Sequence, residues 1–181
     1  HRMPRLQALR RDPPARPSDT RGDDPPMITD NPLLAPWTAP HGLPPFDRIR
    51  PEHFEPALRA AMDEHLAELH AVATQGALPT FDNTVAAFDR SGRALGRITS
   101  VFYNLTASQT TPELQAVQRR TAAPLAAHDS AIYMNRALFE RIDTLHAQRD
   151  TLALSAEQRR LLERRVPRRA VGAPRQGAQR P

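Results

Sequence analysis

Seven histidines in a chain that has neither cysteine nor lysine are the first place to look for chemistry. The nearest approach to a metal pattern is His65-Leu-Ala-Glu68-Leu-His70. Its two histidines are five apart, and at about 100° per residue a helix points them roughly 140° away from each other. The zinc-peptidase pattern HExxH uses a spacing of four because that spacing puts both imidazoles on one face. His65 and His70 therefore read as surface histidines. Asp63, Glu64 and Glu68, on the same stretch, read as the solvated face of a helix.

Other candidates are weaker. A Ser-His-Asp triad is assembled in space and no linear pattern excludes it, but the G-x-S-x-G nucleophile elbow is absent. Asn104-Leu105-Thr106 matches the glycosylation sequon, yet it falls inside a predicted helix. No catalytic, cofactor-binding or metal-ligating residue is assigned on these grounds.

Composition closes further classes of chemistry. All 25 basic residues are arginine. Without Cys there is no disulfide, thiolate nucleophile or Cys-ligated zinc. Without Lys there is no phosphate-loop lysine and no Schiff base. The net charge of +5 suggests nucleic acid until it is divided along the chain. Residues 1–26 carry +2, and the stretch from residue 164 onward carries six Arg and no acid. That leaves residues 27–163, with 13 Arg and 16 Asp plus Glu, at −3. The basic C-terminal stretch has no interleaved aromatic residue for base stacking, so nucleic-acid binding is not the expected role. No stretch approaches the roughly 20 apolar residues that span a bilayer, and no membrane partner is expected. Arg10-Arg11 is followed by Asp12-Pro13-Pro14 rather than an apolar run, so the default location is the cytoplasm.

The elements that would position any site are helical. Hydrophobic residues make up 39% of the chain and aromatic ones 5%, with Ala and Leu dominant, which favours an all-α fold. Residues 1–26 read as a disordered arm or upstream translation, with Met27 as a start candidate. Residues 27–50 read as a proline-rich loop with Leu33, Leu34, Trp37 and Phe46 as apolar anchors. A helical domain over 51–164 follows. Its first helix starts at Pro51 and carries Phe54, Leu58, Met62, Leu66, Leu69 and Val72 on one stripe. The second is capped by Asp82 or Asn83, with Phe88, Leu95 and Phe102 seven apart as a continuous seam. Its far end, with Ile98, Val101, Phe102, Tyr103 and Leu105, is expected to touch two neighbours.

Thr111-Pro112-Glu113 starts a third helix, which Pro124 must kink or interrupt. Asn135 caps a fourth, and Ser155 with Gln158 forms a capping box for a fifth. Residues 165–181 form an Arg/Pro/Gly tail without periodicity, as if the reading frame had shifted after Arg164.

Five segments then carry a resemblance. LPPFDRIRPEHFEPAL (43–58), PTFDNTVAAF (79–88), SGRALGRITSVFYNLTASQTTPELQ (91–115), IYMNRALFERID (132–143) and LSAEQRRLLER (154–164) resemble, in order, the N-terminal region of the thimet oligopeptidase family. TSVFYNLTAS is most similar to the bacterial peptidyl-dipeptidases within it. The resemblance implies a zinc metallopeptidase that releases dipeptides from the C-termini of short peptides. In that family an HExxH helix supplies two ligands and the general base, and a later Glu completes the zinc site. None of those positions falls in the matched stretch.

The implied role of these helices is part of the wall of a deep channel that admits short flexible peptides. Zinc, short peptides and a C-terminal catalytic portion belong to the complete family member, while this chain alone is expected to be inactive. A free-standing helical interaction module is the competing reading. Helices built to lean on absent partners also imply marginal stability for the isolated chain, because each ordered residue costs about 1–2 kcal/mol of backbone entropy.

Overall fold

The computed structural model describes residues 30–165, and every regular element among them is helical. The expectations for the arm at 1–26 and for the tail beyond Arg165 lie outside the described residues. Six helices follow the N-terminal loop: α1 (Pro51–Thr74), α2 (Ala87–Arg90), α3 (Arg93–Ser108), α4 (Pro112–Tyr133), α5 (Arg136–Ala147) and α6 (Ala156–Arg165). A wider π-helical turn, Phe81–Ala86, runs directly into α2.

Helix α1 is the spine. Its apolar stripe is long enough to serve two separate cores. The N-terminal half, through Phe54, Leu58 and Met62, packs with Leu95, Ile98 and Phe102 of α3 and with Leu114 and Val117 of α4. The C-terminal half, through Leu69 and Val72, packs with Val85, with Leu138, Ile142 and Leu145 of α5, and with Leu162 of α6. Leu66, between the two cores, is only partly buried. The loop before α1 closes the first core with Leu33 and Ile49. Asn31 fixes that loop, donating from Nδ2 to His53 O at 2.8 Å and accepting from Leu33 N at 3.0 Å. Trp37 lies under the Arg97 guanidinium at 4.6 Å. Phe46, expected as an anchor, is instead 50% exposed, and Ile49 fills that place.

Most helix starts are those the cap residues predict. Thr111 Oγ1 accepts from Leu114 N, Asn135 Oδ1 accepts from Leu138 N, and Ser155 and Gln158 bond reciprocally. Each accepts an N–H that the first helical turn leaves without an internal partner. Glu113, in the first turn of α4, is held below the usual carboxylate range by its own backbone N–H and by the Thr111 hydroxyl.

Three expectations are corrected. The cap before the second helix is Thr80, not Asp82 or Asn83. Thr80 Oγ1 accepts from Asn83 N at 3.1 Å, while Asn83 Oδ1 accepts from Thr80 N at 2.8 Å. Asn83, three residues after the cap, closes that box, and its Oδ1 also accepts from Arg141 Nη2 of α5. Second, of the kink or interruption expected at Pro124, the interruption does not occur, and α4 continues to Tyr133. Pro124 is exposed, so the carbonyl its ring deprives of a donor can be hydrated rather than left dry. Third, the seam Phe88–Leu95–Phe102 does not belong to one helix. The chain breaks at Ser91-Gly92, where Gly92 adopts φ +69°.

The heptad spacing survives that break while its members go to different cores. Phe88 meets Phe139 edge-on in the second core, whereas Leu95 and Phe102 enter the first. At the far end of α3, Ile98, Val101 and Phe102 share the first core with residues of α1, α4 and the loop, as expected, while Tyr103 is 50% exposed.

Candidate functional site

The break at Ser91-Gly92 brings Ser91, His65, Glu68 and His128 together in one polar corner. Gly92 caps α3 from a left-handed conformation that a side chain disfavours, and its backbone N–H donates to Glu68 Oε2 of α1 at 2.7 Å. One turn earlier on α1, His65 lies directly against Gly92. A β-carbon on Gly92 would stand 2.7 Å from the imidazole. Glycine is therefore required here both for backbone conformation and for room.

His65 and His128 of α4 pack ring to ring, with centroids 5.0 Å apart and planes tilted by 43°. His128 is 5% exposed, and neither of its ring nitrogens has a hydrogen-bond partner. The carboxylate of Asp129 lies 3.6 Å from His128 Nδ1, too far for a good hydrogen bond. Burial, reinforced by the neighbouring His128, pushes the His65 imidazole below the usual histidine value, with Glu68 and Asp129 opposing. A groove of about 440 Å³ opens from this corner, lined by His65, Phe88, Ser91, Asp129, Tyr133 and Arg165 among others. On its rim Arg165 pairs with Asp89 and lies 4.8 Å over the Phe88 ring, so the last described helix extends one residue past the expected boundary at Arg164.

The polarity of the hydrogen bonds decides what this corner can do. Ser91 Oγ stands 3.1 Å from His65 Nε2 and 2.7 Å from Phe88 O. A carbonyl can only accept, so the single hydroxyl proton goes to Phe88 O. His65 Nε2 must then donate to Ser91. A general base activating a serine needs the reverse arrangement. The pair thus fastens the corner to α1 and is not poised for nucleophilic attack.

A metal centre fits no better. Among the described residues no three His, Asp or Glu side chains converge as a ligand set. The two tilted, stacked imidazoles present faces to each other rather than lone pairs to a common point.

The residues singled out from the sequence are dispersed. His70 is exposed on α1, away from His65, as the spacing requires. Asp63 and Glu64 are exposed, but Glu68, read as part of a solvated face, holds the α3 N-terminus. Asn104 lies on the exposed surface of α3. Sequence reasoning missed His128 and Ser91, which reach His65 from 63 and 26 positions away. The one available signal was the Ser91-Gly92 dipeptide as a helix breaker.

No family model matches the chain. Over 137 residues it is 40% identical to the dipeptidyl carboxypeptidase of Escherichia coli (strain K12), a match that covers 76% of this chain and 20% of that protein. The dipeptidyl carboxypeptidase of Salmonella typhimurium is also 40% identical, over 136 residues and 20% of its length. Oligopeptidase A of Escherichia coli is 28% identical over 153 residues, covering 83% of this chain and 22% of that protein. The chain thus spans about a fifth of the length of the curated relatives it matches.

Proposed function

We propose, from the premise that this chain is a thimet-type peptidase sequence matched over its N-terminal region, that its helices form part of the wall of a peptide channel. The complete protein is read as a zinc metallopeptidase of the peptidyl-dipeptidase type, releasing C-terminal dipeptides from short peptides in the cytoplasm. The observation that carries this reading is the 40% identity to two proteins named dipeptidyl carboxypeptidase, against 28% to oligopeptidase A. It accords with what the helices offer. They are amphipathic, they share one spine, and their polar corner is wired for position rather than proton transfer.

In this reading the zinc supplies Lewis-acid chemistry from a portion of the protein outside this chain. The described residues fit no zinc site, and no step of hydrolysis is assigned to them. Their contribution is exclusion: a wall of packed helices admits an extended peptide and rejects a folded domain.

The genomic DNA downstream of the Arg164 codon, translated in three frames, is expected to encode an HExxH helix. The longer product should release a dipeptide from the C-terminus of a blocked tetrapeptide and should stop when a chelator is added. A downstream sequence without HExxH in any frame, or a longer product that cleaves internally instead, would overturn the reading.

A further inference from the structure

We propose that the stacked His65–His128 pair is a pH-sensitive latch, holding the Ser91-Gly92 corner and α4 onto the middle of α1 while at most one ring is charged and releasing them when both are. The proposal does not rest on the peptidase reading. It rests on where an added proton would have to go.

With Nε2 donating to Ser91, His65 can take a proton only at Nδ1, and that nitrogen is buried without a partner. His128 has no partner at either nitrogen. Among the described residues, few groups face the pair. Asp129 on α4 is 3.6 Å from His128 Nδ1, close enough to balance one charge. Glu68 on α1 is the other nearby carboxylate, but it already holds Gly92 N. From the α2 side come Asp89, which is engaged with Arg165, and the neutral Ser91 hydroxyl. Arg164 and Arg165 of α6 add positive charge to the adjoining groove, and α3 adds the neutral Tyr103 and Thr99. Among the described residues, two imidazolium rings 5.0 Å apart therefore meet one nearby carboxylate not already engaged, that of Asp129.

The His65 ring lies against Gly92, where a β-carbon would be 2.7 Å away, and turning it to find an acceptor for Nδ1 would break its bond to Ser91, so a second charge is relieved only by loosening the corner.

A histidine whose folded-state pKa is depressed binds fewer protons folded than unfolded, so its stabilisation is complete above the unfolded value of about 6.5 and is lost as pH falls through the folded value. His65 is depressed in this sense.

The test is an NMR titration of the histidine ring signals of the full chain from about pH 8 to about pH 5, alongside urea unfolding over the same range. The His65 signal is expected to titrate below the usual histidine value of about 6.5. The folding equilibrium constant should fall up to about tenfold for each unit of that difference. His128→Leu removes the second charge, so it should move the His65 titration upward and flatten the stability profile, whereas His70→Gln should change neither. A His65 signal titrating at or above about 6.5 in the wild-type chain would overturn the proposal, as would a chain that shows no cooperative unfolding. An unchanged His65 titration in folded His128→Leu would overturn it as well.

Discussion

Gly92→Ala is expected to destabilise the chain by roughly 2–5 kcal/mol, from a left-handed backbone penalty of about 1–2 and an overpacking penalty of about 1–3. The backbone part follows from φ +69°. The packing part follows from the His65 ring, which stands 2.7 Å from the new β-carbon and is backed by His128 on one side and tied to Ser91 on the other. Gly96, four residues on, supplies the control. Its β-carbon would meet nothing within 4 Å and it lies inside α3, so Gly96→Ala should stabilise by about 0.5–1 kcal/mol. Combining Gly92→Ala with His65→Ala removes the obstructing ring and should recover the packing part while leaving the backbone part. Urea unfolding followed by circular dichroism measures all three. A Gly92→Ala protein within about 0.5 kcal/mol of the parent would show that the corner is not held as described.

Phe54→Ala is expected to cost about 3–5 kcal/mol, the usual range for deleting a fully buried ring. Phe54 has no exposed surface and meets Phe102 at 5.0 Å, at the point where the loop, α1 and α3 converge. Against the usual reserve of about 5–15 kcal/mol, this one change is a large fraction of the stability and should lower the unfolding midpoint sharply. Phe46→Ala, only eight residues earlier but at a half-exposed site, should fall within about 0.5 kcal/mol. Equal losses at the two positions, in the same unfolding experiment, would contradict the observed division between core and loop surface.

The fold was legible in the sequence to the extent that it depends on local patterns. Caps at Thr111, Asn135 and Ser155 each act through a hydrogen bond three residues away, so residue type and spacing suffice to find them. The apolar stripe of α1 was legible for the same reason. What it could not reveal was its division between two cores, because Phe54 and Leu69 look alike in period and differ only in partner. The helix break was hidden by a coincidence. Two glycine-linked helices can keep a seven-residue spacing between Phe88 and Leu95, and periodicity alone then reads through the joint.

The candidate corner was the least legible part. His65 looked like half of a failed metal pattern with His70. Its actual neighbours, Ser91 and His128, come from other helices and are joined to it only by tertiary packing. Glu68 illustrates the opposite error. Its type and position suit a solvated face, and it remains accessible, but the positive end of α3 arrives beside it and converts it into a tether.

The most direct test of the peptide-channel reading is an assay of the purified 181-residue chain, incubated with zinc and with blocked oligopeptides and followed by mass spectrometry and metal analysis. No C-terminal dipeptide and no stoichiometric zinc are expected, because the described helices hold neither a ligand set nor a poised base. Chelator-sensitive release of dipeptides by this chain, with contaminating peptidases excluded, would place the hydrolytic centre within it and contradict its assignment as a channel wall.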